Sequence, residues 1–310
     1  MWTKPFSYKE GFVVGAGLIM AGIALQLSVG PLDWWFFRAP VNYVVLAVLC
    51  IVTIFLHIVR HQAYAVRFLT TAQAAVPALI YATLLTAMMG IVRQVPSTSP
   101  PTDALGFSRM LSAWPFVLIY VYITLIVGLV SLKQATALLS RQDKVMRHLP
   151  SLLCHAGLFI ALTTATLGSA DMQRLKMICA IGEPEWRAVN ERGQIKQLSV
   201  TVELKRFIHE ESEEGMPKRF ASEINIYTQS GESYAATVDV NHPAEVKGWK
   251  IYQYGYDTAA GASSRISILE LVSDPWLPYV YAGIALLLCG AVLMFLSGRH
   301  KGTNKVNPQL

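Results

Sequence analysis

The side chains of this 310-residue chain with the widest ligand and redox chemistry are its four cysteines and seven histidines. Cys50, Cys154, Cys179 and Cys289 form no CxxC pair, which excludes a dithiol redox centre and a zinc-knuckle spacing. CxxCH is also absent, so the chain is not itself a c-type cytochrome. His155 stands apart from the other histidines. It lies one turn inside an apolar run, LLCHAGLFIALTTATLG, flanked by Leu152, Leu153, Cys154 and Gly157. An ionisable residue at such a depth is a functional-site candidate, and a neutral imidazole in a dry setting is a metal ligand. Gly157 beside it would let a flat ligand or another helix approach closely. The plainer reading is a packing histidine bonded to a neighbouring serine or carbonyl.

The other histidines read differently. His57 sits near the end of a second apolar run, but Arg60 and His61 follow it, which favours a solvated position at a membrane surface. His61, His148 and His300 lie among basic residues and serve topology. His209 opens an acidic run with Glu210, Glu211, Glu213 and Glu214. A metal could be held there, but such runs are ordinarily solvated faces. His242, between Asn241 and Pro243, belongs to a turn that leads into a tyrosine-rich strand, because the residue before proline is driven to extended geometry.

These residues must be positioned by a chain that is 53% hydrophobic and only 15% charged, the balance of an integral membrane protein. Six runs reach the roughly 20 residues that a bilayer core requires. They are Gly11 to Val29, Val41 to Val59, Ala74 to Val92, Trp114 to Leu132, Ser151 to Ser169, and Leu277 to Leu296. The first is too long for a cleaved signal and reads as a retained anchor. Residues 171–274 carry 12 basic and 16 acidic side chains, and the rest of the chain carries 14 and 4. Positive charge concentrated beside apolar helices is a topology signal, so nucleic acid is excluded as a partner.

With the N-terminus inside, eleven membrane-flanking cations fall in the cytoplasm, among them Lys4, Lys9, Arg60, Arg67, Arg141, Lys144, Lys301 and Lys305. Only Arg38, Arg93 and Arg109 fall outside. Both termini are then cytoplasmic. The division expected is a membrane domain of five helices over 1–169, an extracytoplasmic β-rich domain over 170–275, and a sixth helix with a cytoplasmic tail over 276–310. In the middle region Leu198, Val200, Val202 and Leu204 alternate with polar residues at the strand period. Weaker repeats follow at Ser222 to Tyr227 and Tyr234 to Val240. Tyr252, Tyr254 and Tyr256 share a face, and Ile266 to Leu271 closes the set. Five or so strands predict a small antiparallel sheet or sandwich. The return, SDPWLPYVYAG, places Asp274 as cap and Pro275 at the first position of the last helix, with Trp276, Tyr279 and Tyr281 in an interfacial belt.

Two blocks, VNHPAEVKGWKIYQYGYD and DPWLPYVYAGIALLLCGA, together resemble the ResB (CcsB) family of System II cytochrome c biogenesis proteins. VTVELKRFIHEESEEGMPKRFASEINIY is similar to that family's first ectodomain strands. LDWWFFRAPVNYVVLAVLC resembles the entry to its second helix, and the helix bearing His155 precedes the ectodomain as it does there. This chain differs in having five helices before the ectodomain where the family usually has three.

The resemblance implies a subunit of the cell inner membrane that handles or exports heme. It would present that heme, with a CcsA/ResC-like partner, for covalent attachment to apocytochrome c. It further implies heme b, bound or in transit, with His155 as its axial ligand. No catalytic residue is assigned to this chain, since the attachment chemistry of the synthetase complex lies mainly in the partner. Trp34-Trp35-Phe36 does not reproduce the partner's tryptophan-rich heme segment and reads as an interfacial belt. The alternative is a b-type cytochrome exchanging electrons with quinone, which would need His57 as a second ligand. A transporter for another solute would want more intramembrane acids than these spans hold.

Overall fold

The computed structural model describes residues 4–96, 98–140, 145–211 and 217–299. Arg141, Lys144, Lys301, Lys305, His300, Glu213 and Glu214 lie outside these. Among the described residues, six helices are long and apolar enough to cross a membrane. They are α1 (Tyr8–Val29), α2 (Val41–Val59), α4 (Ala72–Ile91), α5 (Trp114–Ser140), α6 (Val145–Gly168) and α7 (Leu277–Arg299). A short helix, α3 (Tyr64–Phe68), links α2 to α4. The chain clusters into two compact units, residues 1–170 with 276–310, and residues 171–275.

Within the membrane unit, small residues let helix backbones approach where lipid offers no hydrophobic drive. On the α6–α7 seam, a Cβ added at Gly157 would lie 2.5 Å from the Gly283 carbonyl oxygen. One at Gly283 would lie 2.7 Å from the Ala161 nitrogen, and one at Gly290 2.6 Å from the Cys154 nitrogen. Gly22 plays the same part between α1 and α5, 2.5 Å from Pro115. Helix termini are closed locally. Ser7 caps α1 and Glu10 returns a bond to the Ser7 backbone, a reciprocal box. The last helix begins at Leu277, not at Pro275: Pro275 and Trp276 form a turn, and the Trp276 carbonyl accepts from Tyr279 and Val280.

The second unit is one antiparallel sheet of eight strands, where the sequence predicts about five. The strands are β1 (Gln173–Ala180), β2 (Pro184–Asn190), β3 (Ile195–Glu211), β4 (Pro217–Thr228), β5 (Ser233–Asp239), β6 (Ala244–Val246), β7 (Trp249–Tyr256) and β8 (Ile266–Ser273). Their spatial order is β5-β4-β3-β2-β1-β8-β7-β6. β1 escapes a hydropathy reading because Ile178 faces outward between buried Met177 and Cys179. β2 carries one buried apolar residue, Ala188, and β6 is three residues long.

The sheet folds over itself. Ser222 on β4, Gln253 on β7 and Ser267 on β8 meet in the interior, with Ser222 Oγ 2.6 Å from Gln253 Oε1 and 2.8 Å from Ser267 Oγ. Around this contact Met177, Val202, Leu204, Ile224, Val238, Ile251, Leu269 and Leu271 form one apolar core. A bulge between Gln253 and Gly255 changes the phase of β7. Tyr252 and Tyr254 stay on the outer face, while Tyr256 pairs with buried Ser267 and packs on Phe207 and Phe220. The three tyrosines therefore do not share a face.

The α6–α7 seam gives a direct stability prediction. Gly283→Val places a branched side chain against the α6 backbone, and overpacking of this kind costs about 1–3 kcal/mol. Gly90→Ala, at a position with open space around it, should be neutral or slightly stabilising. Thermal unfolding of the two variants in detergent should separate them, with only Gly283→Val melting early.

Candidate functional site

His155 occupies the α6 stripe of His148, Phe159, Leu162 and Thr166, residues three, four or seven apart on one helix face. That stripe meets α5. His148 bonds Gln134, Phe159 abuts Gly128, and Tyr120 donates to the Leu162 carbonyl and accepts from Thr166. His155 is half-buried, and its Nδ1 lies 2.7 Å from the Ser151 carbonyl and 3.4 Å from Ser151 Oγ. The bland expectation, a bond to a neighbouring serine or carbonyl, describes this nitrogen well. It accounts for one nitrogen only. A carbonyl accepts, so Nδ1 carries a proton, and in the neutral tautomer of that kind the lone pair lies on Nε2. A ligating imidazole is ordinarily oriented by just such a bond at its other nitrogen.

Gly157 does not serve a flat ligand, because α7 fills the space beside it. His57 is brought close in depth to His155. A Cβ on Gly128 would meet both Phe159 and Thr53, so α2, α5 and α6 converge there. His57 lies one turn beyond Thr53, and His155 one turn before Phe159 on the antiparallel helix. Both histidines therefore stand one turn from the same three-helix contact, toward the same end. The His57 ring lies against the Arg60 guanidinium, one turn further along the chain.

A cavity of about 690 Å³ opens at the other end of the same helices, lined by Trp34, Phe37, Val48, Trp114, Tyr120 and Thr166 among others. Among the described residues, no histidine, cysteine, methionine or charged side chain lines it. The paired tryptophans here are structural: Trp34 Nε1 donates to the Leu111 carbonyl, and the Arg38 guanidinium sits 3.2 Å above the Trp35 ring centre.

In the β unit, His209 lies beside Tyr256 and Phe207, with Nε2 3.4 Å from the Tyr256 hydroxyl. His242 is exposed in the bend after β5, where its carbonyl accepts from Asp239, and the short β6 intervenes before the tyrosine strand. Among the described residues no group of three or more histidine, cysteine or acidic side chains is placed to hold a metal ion. Glu185 is held down to about 2, first by the Arg187 side chain and then by backbone donors. Cys179 is fully buried, and that burial, with Glu185 nearby, pushes its thiol up to about 12.

A bundle of apolar spans interrupted before its last helix by a folded antiparallel sheet defines a membrane-embedded scaffold that carries a separate polar domain. Residues 130–267, from within α5 into β8, match the model of the ResB-like family. Over 130 residues the chain is 24% identical to "Cytochrome c biogenesis protein CcsB" of Prochlorococcus marinus (strain NATL2A), covering 42% of this chain and 30% of that protein. Over 129 residues it is 29% identical to the protein of the same name from Synechococcus sp. (strain RCC307), covering 41% and 29%. The chain thus aligns with about a third of the length of these relatives. A solved chain titled "Cytochrome c Heme Lyase CcmF" overlays 94% of this chain and 46% of its own length at TM-score 0.37 and 14% identity, too loose a likeness to argue from.

The burial of Cys179 makes a chemical prediction. A thiol held near pKa 12 has almost no thiolate at neutral pH, and the thiolate is the nucleophile. In a variant retaining Cys179 as its sole cysteine, maleimide labelling should be slow in the folded protein and fast in denaturant. Rapid labelling in the native state would contradict the placement of β1.

Proposed function

We propose that this chain is a cytochrome c biogenesis subunit of the inner membrane that handles heme. It would present that heme, together with a CcsA/ResC-like partner, for attachment to apocytochrome c. The observation that carries this reading is His155, a membrane-depth imidazole whose Nδ1 is tied to the Ser151 carbonyl and whose Nε2 is left to ligate. Heme is the cargo here, and its iron asks of this chain one neutral nitrogen in a dry setting. Ser151 orients the ring, and the partner would supply the second ligand. The printed names of the relatives, and the ResB-like match spanning α6 and the β unit, support the same role.

A second reading, a self-contained b-type cytochrome, draws support from the shared depth of His57 and His155. It requires His57 to give up Arg60. Exchange of each histidine separates the two. His155→Ala should strip heme from the purified membrane protein and abolish cytochrome c maturation, and imidazole added to His155→Gly should restore part of both. His57→Ala should leave heme content near wild type under the first reading and remove it under the second. A His155→Ala protein with full heme and an unshifted Soret band would overturn both.

The orientation follows from the cations flanking the spans: both termini cytoplasmic and the β unit outside. A single cysteine at Gln194, exposed in the β2–β3 loop, should react with an impermeant maleimide from the outer side of spheroplasts. Labelling only after the cells are broken would reverse the topology.

A further inference from the structure

Where α2 ends, a pocket of about 460 Å³ is lined by Lys4, Arg60, His61, Gln62, Tyr64 and Arg67, with Pro5 at its edge. Three cations and a histidine share it with no carboxylate, and none of the three makes an ion pair among the described residues. Like charges gathered without a counter-ion repel one another, so an arrangement of this kind is stabilised by a bound anion.

The cluster is built on a fixed base. The Phe6 ring packs edge-on against Tyr64 and Phe68 at 4.8 and 5.4 Å, and the Phe6 amide donates to the Tyr64 hydroxyl. Phe68 is buried, which anchors α3. Lys4 and Arg67 then sit at 5.2 and 5.1 Å from the Tyr64 ring centre, so one aromatic side chain places both cations. The last turns of α2 leading into the pocket expose Ile51, Phe55 and Ile58, three positions on one helical stripe. A polar, cationic pocket at the head of an exposed apolar stripe matches a molecule with an anionic head and hydrocarbon tails.

We propose that this pocket binds the phosphate of an anionic phospholipid, with its acyl chains along the Ile51–Phe55–Ile58 stripe. The shared chemistry is a phosphate oxyanion forked by guanidinium and ammonium donors. The tails distinguish the lipid from free phosphate. The site does not include His155 and does not rest on the heme reading.

The test is native mass spectrometry of the full chain in detergent, titrated separately with dioleoyl phosphatidylglycerol, dioleoyl phosphatidylcholine and inorganic phosphate. The phosphatidylglycerol adduct should form at the lowest concentration and weaken as ionic strength rises. Each cation near such a surface is worth roughly fivefold, so Lys4→Gln with Arg67→Gln should weaken it about 25-fold. The charge-conserving pair Lys4→Arg with Arg67→Lys should retain it. If circular dichroism shows the double glutamine variant to be misfolded, Arg67→Gln alone, with about a fivefold loss, carries the same comparison. Equal titration by the two lipids, or wild-type binding in the glutamine variants, would overturn the site. Inorganic phosphate binding as tightly as the anionic lipid would overturn the lipid assignment.

Discussion

The close approach of α6 and α7 is the constraint on which the architecture depends. An insertion of some hundred residues between two adjacent spans must leave the membrane and return beside its point of exit. Gly157, Gly283 and Gly290 bring the two backbones into contact, which no side chain larger than hydrogen at those positions would permit. The β unit meets the same requirement independently. Its first strand, β1, pairs along its whole length with its last, β8, from Gln173 opposite Ser273 to Ala180 opposite Ile266. Within each unit the chain is drawn together by a different chemistry, small residues between helices and a hydrogen-bonded ladder between strands.

What could be read from the sequence divides along the same physical line. A span needs a long run of apolar residues whatever its neighbours, so helix positions are a local property, and the observed ends differ from the expected ones mostly by a few residues. Strands in a folded-over sheet depend on what packs across them. β3 announces itself because Leu198, Val200, Val202 and Leu204 all face the core. β1 does not, since its outward positions hold Ile178 as well as Lys176, and β2 buries almost nothing. Tyr256 changes face through a bulge that the amide of Gln253 stabilises by donating to the Gly255 carbonyl, an interaction with no counterpart in an alternation pattern.

The candidate site was legible as a residue but not as a geometry. Depth in an apolar run singles out His155 from six other histidines. Its tautomer follows from Ser151, four residues earlier and one turn away, a pairing that spacing allowed but could not require. The use of Gly157 was open between ligand and helix, and only the position of α7 decides it. The shared depth of His57 and His155 is legible from their places near the same ends of their spans, but the convergence of their helices depends on Thr53, Gly128 and Phe159 meeting from three of them.

Charge shows how one property can carry two meanings. Lys4 and Arg67 enter the sequence reading only as a tally that orients the helices, with Arg60 also marking His57 as surface-lying, and a tally is indifferent to where each charge lies. Folding removes that indifference. The Phe6–Tyr64–Phe68 ring cluster gathers residues from the N-terminal segment and the α2–α4 connection into one concavity. Cations spread along a membrane surface interact weakly with lipid and are screened by salt. The same cations converging on one pocket form a recognition element, because their donors can engage a single oxyanion at once. Arg60 belongs to this group and also contacts the His57 ring. An anion drawn to Arg60 would compete with that ring for its donors, which couples the basic pocket electrostatically to the histidine-bearing end of α2.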